Sequence, residues 1–306
     1  MATMIARLAP VAGMTLTALD GVTLMRANGT TAKAPALYDP CICIAVQGRK
    51  RCYLGDSAFA FAFDAQHYMV LSVPLPFMSE TEATAAEPLL GLMIRIDCTL
   101  LADLLVAIEG DEAPQQAPAT VMTTRLDARM EATVQRLLET LASPLEARVL
   151  GPGLVREIFY HVLMGEQGGA MRAALTHQGH FGKIARALRR IHQDYQSDLN
   201  VTSLACEANM SVPAFHAHFK AVTQCSPIQY VKAARLHKAR LLMVRGGVTA
   251  ASASALVGYE SASQFSREFK RMFGRSPVAE AQFMKHTLAL MPAAEAGHVR
   301  VELAAS

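Results

Sequence analysis

The 306-residue sequence predicts an α+β protein with a small β-barrel in its N-terminal half and an all-α C-terminal domain. Three observations support this prediction. Short apolar runs separated by turn residues fill the first hundred positions, a helical segment occurs twice near the C-terminus, and basic residues concentrate around that duplication. A chain of this length can bury two separate cores.

The first 98 residues have the pattern of a barrel or sandwich of short strands. Residues 1–33 predict an extended arm with a short strand or two. The segments that follow are the strand Cys41–Val46, the turn Gln47–Gly48, the strand Lys50–Leu54, the turn Gly55–Asp56, the strand Tyr68–Val73 and Gly91–Asp97 as an edge or return strand.

Residues 99–165 are predicted to be helical. Thr99–Glu109 is followed by a loop at Gly110–Ala119, and then by helices at Leu126–Leu141 and Gly153–Gly165. The Leu126–Leu141 helix carries an apolar stripe at heptad-like spacing, formed by Met130, Val134, Leu137 and Leu141. We expect this stripe to pair two subunits of a homodimer, although packing on the sheet is nearly as well supported. Four glycines in Gly165–Gly179 predict a linker at residues 166–179.

A six-residue pattern recurs fifty positions apart. The first copy consists of Ser211, Phe215, Phe219, Lys220, Ser226 and Pro227, and the second of Ser261, Phe265, Phe269, Lys270, Ser276 and Pro277. Phenylalanines at i and i+4 share one helix face, and the serine before them is a good N-cap. An alanine-rich run precedes each copy, at Thr202–Ala208 and Thr249–Val257. Each copy therefore predicts a helix-turn-helix unit, whose second helix enters a DNA major groove.

The helices around these units complete a domain at residues 180–286, followed by a tail at 287–306. His180–Tyr195 is a basic amphipathic helix that braces the first unit. Pro227–Val244 connects the units and spans about 25 Å. A rod of that length holds two recognition helices near the spacing of successive major grooves, about 34 Å.

Charge divides the chain in the same way. Residues 177–286 hold fifteen Lys and Arg against six Asp and Glu, whereas the remainder holds fourteen against twenty. A basic C-terminal domain beside an acidic N-terminal one indicates a polyanionic partner for the former. We therefore expect double-stranded DNA as a partner, since a merely solvated basic face would not explain the repeat.

The segment G-Y-E-S-A-S-Q-F-S-R-E-F-K-R-M-F-G-R-S-P (Gly258–Pro277) resembles the signature of the AraC/XylS transcriptional regulators. Tyr38–Arg51 and Arg156–Arg172 are similar to the N-terminal domain of one AraC-type subfamily. The resemblance implies a cupin-like β-barrel followed by helices for effector sensing and dimerisation. It also implies a sequence-specific activator that contacts RNA polymerase and needs no cofactor.

The resemblance places the second recognition helix at Ala262–Phe273, with Phe265, Phe269 and Phe273 buried. The DNA-contacting residues it implies are Ser211, Val212, Pro213, His216, Ala217 and Lys220 in the first copy, and Ser261, Ala262, Ser263, Gln264, Ser266, Arg267, Lys270 and Arg271 in the second. Arg267 is expected to grip a guanine edge or a phosphate. Ala217 stands where many relatives carry a long polar reader, which leaves little base readout to the first helix.

Three residues are candidates for effector sensing: Cys41, Cys43 and His67. Alternation along Cys41–Val46 puts both cysteines on one strand face. Lys50 and Arg51 lie just beyond the turn and are expected to lower a thiol pKa, making Cys43 reactive. The competing interpretation is a buried thiol that acts as a small hydrophobe. An apolar barrel interior with few polar groups favours a small ligand that is mostly apolar or reactive.

Two other functional classes compete with a ligand-controlled regulator. A metal-dependent cupin enzyme fused to a DNA-binding module needs clustered histidines, but residues 1–150 contain only His67, so no catalytic residue or metal ligand is assigned. A regulator controlled by a protein partner stays open. The six cysteines lack zinc-type pairing, and no signal peptide or membrane span is recognisable. We therefore expect a cytoplasmic, nucleoid-associated protein without membrane contact.

Overall fold

The computed structural model of the protein describes residues 1–54, 61–108, 121–175 and 179–289. The predicted turn Gly55–Asp56, the loop Gly110–Ala119 and the tail from residue 290 onward lie outside these ranges. The described residues form an N-terminal α+β region and a helical C-terminal region, as the sequence predicted.

Strands of the N-terminal region form two antiparallel sheets that enclose a barrel-like core. The strands are β1 Gly13–Leu16, β2 Val22–Ala27, β3 Thr31–Tyr38, β4 Cys41–Gln47, β5 Arg49–Tyr53, β6 Phe61–Asp64, β7 His67–Leu71, β8 Leu75–Glu82, β9 Leu89–Arg95 and β10 Val121–Arg125. Within the described residues, one sheet has the order β1-β2-β9-β4-β7-β10 and the other β3-β8-β5-β6.

Strand β4 shows how the sequence pattern builds this core. Ile42 and Ile44 pack on the helix-covered face of their sheet, while Cys41 and Cys43 face the space between the sheets. The predicted alternation is therefore confirmed. The edge assignment of Gly91–Asp97 is wrong, because β9 pairs with β2 on one side and β4 on the other. Strands β3, β6, β8 and β10 had no counterpart in the prediction.

Six helices of the N-terminal region precede seven of the C-terminal region in the described chain. Their bounds are α1 Ala2–Leu8, α2 Cys98–Ala107, α3 Ala128–Thr140, α4 Pro144–Val149, α5 Gly151–Met164, α6 Gly168–Leu175, α7 Gly179–Gln193, α8 Val201–Glu207, α9 Val212–Thr223, α10 Pro227–Arg245, α11 Ala250–Leu256, α12 Ala262–Phe273 and α13 Pro277–Ala289. Helix α1 replaces the start of the predicted extended arm, because Ile5 buries itself in the core beneath the sheet. Helix α6 occupies most of the predicted linker, where Met171 is buried.

The apolar stripe of α3 is buried in the core of the N-terminal region of its own chain. Met130, Val134 and Leu137 are buried in the same core as Ile158 and Phe159 of α5. A dimer seam needs this stripe to be exposed, so the expectation that it joins two subunits is wrong. The core-packing alternative describes the fold correctly.

Candidate nucleic-acid interface and interdomain cavity

Each helix-turn-helix module turns through a residue with left-handed backbone. Asn209 has φ of 49° in the first module, and Gly258 has φ of 80° in the second. The following amides, of Met210 and Tyr259, donate to carbonyls five residues back, which ends the first helix of each module. A Cβ atom on Gly258 would lie 2.7 Å from a backbone oxygen, so glycine is required there. The turn of the first module is one residue shorter.

The repeated residues have equivalent positions in the two modules. The Ser211 hydroxyl accepts from the Ala214 amide at 3.4 Å, and the Ser261 hydroxyl accepts from the Gln264 amide at 3.3 Å. Both serines are therefore N-caps, as predicted. The phenylalanine pairs, at 215 and 219 and at 265 and 269, are fully buried. The shared spacing thus fixes how α9 and α12 sit in their own modules.

The outward faces of α9 and α12 carry different chemistry. Every residue implied to contact DNA is exposed. In the first module the exposed helix face consists of Val212, Pro213, His216, Ala217 and Lys220; in the second it consists of Ala262, Ser263, Ser266, Arg267 and Lys270. Two further exposed residues of α12 also make contacts within the protein. The Gln264 side-chain amide donates to Glu268 at 3.2 Å, and Arg271 lines a cavity described below.

The backs of the two recognition helices are anchored differently. The His218 ring on α9 stacks on His180 of α7, with centroids 3.8 Å apart. At the equivalent place on α12, the Glu268 carboxylate accepts from Lys232 at 2.8 Å and from Tyr259 at 2.7 Å. Burial opposes ionisation of Glu268, but these hydrogen bonds hold its pKa below the usual value. The first anchor is aromatic, whereas the second is ionic.

The connecting helix α10 is also held by the N-terminal region. The Tyr230 hydroxyl donates to the Pro74 carbonyl at 2.6 Å and accepts from His192 Nε2 at 2.7 Å. Ten residues further along, the Arg240 guanidinium donates to the Pro35 carbonyl at 3.5 Å. Both carbonyls belong to the edge of the barrel that faces the C-terminal domain.

Between these two contacts lies a cavity of about 490 Å³. Strands β3 and β8 form one wall, and α10 and α12 the other. The apolar part of the lining comes from Pro35, Pro76, Phe77, Met78, Leu236 and Met272. Lys232, His237, Glu268 and Arg271 supply polar groups. An apolar wall with a few convergent polar groups is typical of small-molecule sites.

Comparison with known proteins identifies the family. Residues 18–170 match the family model described as the AraC-type transcriptional regulator N-terminus, and residues 204–281 match a helix-turn-helix domain. The first match alone spans half of the chain. The protein belongs to the AraC-type transcriptional regulators.

Individual relatives of this AraC-type regulator agree with that assignment. LumQ of Photobacterium leiognathi is 32% identical over 95 residues, which are 31% of this chain and 38% of LumQ. The virulence activator VirF of Yersinia enterocolitica is 23% identical over 190 residues, 62% of this chain and 69% of VirF. The chain thus covers little more than a third of LumQ.

Solved structures of ToxT from Vibrio cholerae share the fold of the AraC-type regulator across both domains. The apo form of a ToxT point variant superposes with a TM-score of 0.62 at 13% identity, over 86% of this chain and 97% of that chain. Wild-type ToxT with an unsaturated fatty acid bound gives 0.61 at 13% identity, over 86% and 94%. At this identity the likeness establishes the shared fold.

Inside the barrel of the AraC-type regulator, the three effector-sensing candidates are not brought together. Cys41 Sγ and Cys43 Sγ lie 3.5 Å apart, both buried. His67 is at the end of the barrel, where its Nδ1 is 2.6 Å from an Asp64 oxygen. Among the described residues, no cluster of three or more His, Cys, Asp or Glu side chains could hold a metal ion.

The expected activation of a thiol by Lys50 and Arg51 is not seen at the neighbouring thiols. A hydrogen bond with Cys43 and burial raise the pKa of Cys41 well above its usual value. Burial raises the pKa of Cys52 to about 12, although nearby Lys50 works in the opposite direction. The Lys50 ammonium donates to the Tyr38 hydroxyl, and Arg51 pairs with Glu80. The reactivity of Cys43 itself stays a prediction.

Sequence reasoning did not find the polar residues around the cavity. Glu280 occupies the position in the second module that buried Tyr230 occupies in the first, and it is buried as well. A carboxylate at a core position requires a charged partner; Glu280 pairs with Arg240, which is mostly buried, at 3.6 Å and with Arg275, which is half exposed, at 3.3 Å. The replacement of Tyr230 by Glu280 between the two copies was the signal in the sequence that could have predicted this buried carboxylate. No helix in the described part of the chain is both long and apolar enough to cross a membrane.

Proposed function

We propose that this AraC-type regulator reads one face of duplex DNA with two recognition helices of unequal base specificity. One observation carries the proposal: two modules with the same caps and buried phenylalanines present different exposed faces. The second face contains Arg267, a long donor suited to a guanine edge. The first contains Val212, Pro213 and Ala217, which offer apolar contact to thymine methyl groups.

The remaining residues of both faces supply positioning contacts. Lys220 and Lys270 are at equivalent places and are proposed to contact phosphates, which gives binding a salt dependence. Ser211 and Ser261 start the recognition helices, so their backbone amides are available to a phosphate. His216, Ser263, Ser266, Gln264 and Arg271 complete the proposed contact set.

The spacing of the modules supports binding by one protomer. Helix α10 has nineteen residues and is about 28 Å long, close to the distance between successive major grooves. Homodimerisation, activation through RNA polymerase and a cytoplasmic, nucleoid-associated location are part of the proposal and rest on family membership. A homodimer would have to use a surface other than the α3 stripe.

The effector is proposed to bind in the cavity between the domains. ToxT has been crystallised with an unsaturated fatty acid, which favours an amphipathic acid for a protein of the same fold. The cavity here combines apolar walls with Arg271 and with Lys232, which also pairs with Glu268, so its charged lining has a net positive charge that suits such a ligand. The barrel interior around Cys41 and Cys43 is a second candidate, since two adjacent buried thiols are present there; His67, the third predicted residue, lies at the end of the barrel. Control by a protein partner is the remaining alternative.

Genome-wide footprinting with the full-length protein tests the DNA-binding proposal. We expect protection of two adjacent major-groove segments on one DNA face, and weaker binding as salt rises. Addition of long-chain fatty acids should change the affinity. Binding that shows no preferred sites at any salt concentration would contradict the proposal. A preferred site with no response to fatty acids would remove only the effector part.

A further inference from the structure

One arginine in the middle of the connecting helix bonds to both sides of the DNA-binding domain. Arg235 lies on α10, and its guanidinium donates to three backbone carbonyls. Two of these belong to the segment that leads from α7 into the first module: Nε donates to Tyr195 at 2.8 Å, and a terminal nitrogen donates to Ser197 at 2.8 Å. The third is the carbonyl of Gly258, in the turn of the second module, at 3.1 Å. A single side chain therefore joins the two modules.

The two bonded segments also lie against each other. A Cβ atom on Gly258 would lie 2.7 Å from the Gln196 carbonyl oxygen and 3.2 Å from a guanidinium nitrogen of Arg235. Each segment follows a helix, α7 or α11, and carbonyl groups at helix ends need donors from outside the helix. The planar guanidinium offers five N–H groups in fixed directions, so it can bond to several carbonyls at once. A lysine has a single nitrogen and cannot span all three.

Two neighbouring side chains of α10 each bond to one side of this contact. The Tyr230 hydroxyl is hydrogen-bonded to His192 on the first-module side, and Lys232 donates to Glu268 of α12. These bonds hold each module on α10 without connecting one module to the other. The Arg235 bonds make that connection near the middle of the helix, so they restrict rotation of α9 relative to α12.

We propose that Arg235 is a positioning residue for DNA recognition, which sets the distance and angle between α9 and α12 and therefore the spacing of the two half-sites. This inference rests on the proposed reading of DNA by two recognition helices and adds the group that fixes their separation. One base pair more between half-sites moves the second by about 3.4 Å along the duplex and turns it by about 34°. Helices held in a fixed relation therefore accept one spacing, whereas modules that shift relative to each other accept several.

Selection from random DNA with the full-length protein tests this role, because it reports base preference and half-site spacing separately. Wild type should select a single spacing. Arg235→Met removes the donors and should keep the base preferences, while discrimination against a spacing one base pair longer falls by about tenfold. Arg235→Lys keeps one donor nitrogen and should be intermediate. Arg190→Met is the matched control and should leave the spacing unchanged, because its partners Asp194 and Glu207 both lie on the first-module side.

The salt dependence of binding to the selected site separates positioning from direct contact. Loss of an arginine that contacts a phosphate lowers the slope of log affinity against log salt by about one. Half-buried Arg235 is proposed to act through the two modules, so Arg235→Met should leave the slope unchanged while the accepted spacings broaden. A lower slope with an unchanged spacing would overturn the inference and make Arg235 a phosphate contact.

Melting temperatures confirm that each variant is folded, and Arg235→Lys carries the comparison if Arg235→Met does not fold. A folded Arg235→Met variant that selects the spacing as strictly as wild type overturns the inference and leaves reading by two helices in place. Wild type that binds several spacings equally tightly overturns it without any variant. If wild type selects no preferred site, the proposed function fails as well.

Discussion

The two helix-turn-helix modules share a scaffold but are attached to the molecule in different ways. The first module, with Phe215 and Phe219, belongs to one continuous core that includes Cys43 and Phe77 of the barrel. The second has a separate core around Phe265, Phe269 and Phe273. Its contacts to the barrel include a hydrogen bond from Arg240, the wall of a cavity and the approach of α12 to β3.

This difference shows how one duplicated sequence can give two roles. The first module is rigidly joined to the N-terminal domain and presents a mostly apolar reading face. The second carries the arginine suited to base recognition and borders the interdomain cavity. We infer that the first module anchors the protein on DNA and the second provides regulated readout.

Among the substitutions that test this difference between the modules, those in the two cores should change stability most. Phe219→Ala and Phe269→Ala each empty a buried site and should lower the free energy of unfolding by about 3–5 kcal/mol. Hydrogen exchange separates them: Phe219→Ala should also increase exchange in β4 and β8, whereas Phe269→Ala should leave these strands unchanged and act on the second core, which Tyr195 and Ala281 also pack against. Identical exchange patterns would contradict the separation of the two cores.

The reading faces can be compared by exchanging one residue between them. Arg267→Ala should weaken binding to the specific site by about 1–3 kcal/mol and relax sequence preference in one half. Ala217→Arg adds the equivalent donor to the first module and should sharpen the other half. Selection from random DNA measures both preferences. Unchanged preferences in both variants would show that these positions do not contact bases.

Acidification should weaken the attachment of the second module. The pKa of His237 is about 3 in the folded protein and near 6.5 when unfolded, so the unfolded state binds more protons between these values. Stability from this group is present above pH 6.5 and is lost as the pH falls. At pH 5 the loss is about 2 kcal/mol. Urea unfolding of wild type and His237→Gln at pH 7.5 and 5.0 measures the difference, which should be absent if the ring is exposed in solution.

Substitutions at the C-terminal ends of α9 and α12 should have the smallest effect on stability. Gln224 and Gly274 occupy equivalent left-handed positions after α9 and α12, with φ of 58° and 77°. Gly274→Ala should cost about 1 kcal/mol in stability, because the added Cβ strains this backbone conformation. Gln224→Gly relieves the same strain and should change stability by less than about 1 kcal/mol. Thermal unfolding measures both changes. If Gly274→Ala raised the melting temperature, the backbone at residue 274 would not have the left-handed conformation described.

Local patterns in the sequence predicted the elements that carry the DNA-binding site. Serine caps, phenylalanines four residues apart and a proline at the start of α10 act within one helix, so they specify the modules without knowledge of the rest. The alternation of β4 was predictable for the same reason, since its period of two follows from the strand alone.

What the sequence did not predict depends on which surfaces meet. The α3 stripe has the same pattern whether it faces a second subunit or α5, and only the fold shows that α5 covers it. Strand β9 lies inside its sheet because of pairing partners distant in the sequence. Arg271 is on the reading helix, yet it also lines the cavity.

The sequence by itself determined two DNA-reading modules, their caps, their buried phenylalanines and their different outward residues. Each of these follows from neighbours within a helical turn or two. Only the tertiary structure decided that the first module fuses with the barrel core, that the second stands apart, and that a cavity lies between the second module and the barrel. Those features arise where β3, β8, α10 and α12 pack together, and apolar periodicity shows that a face is buried without showing which distant segment covers it.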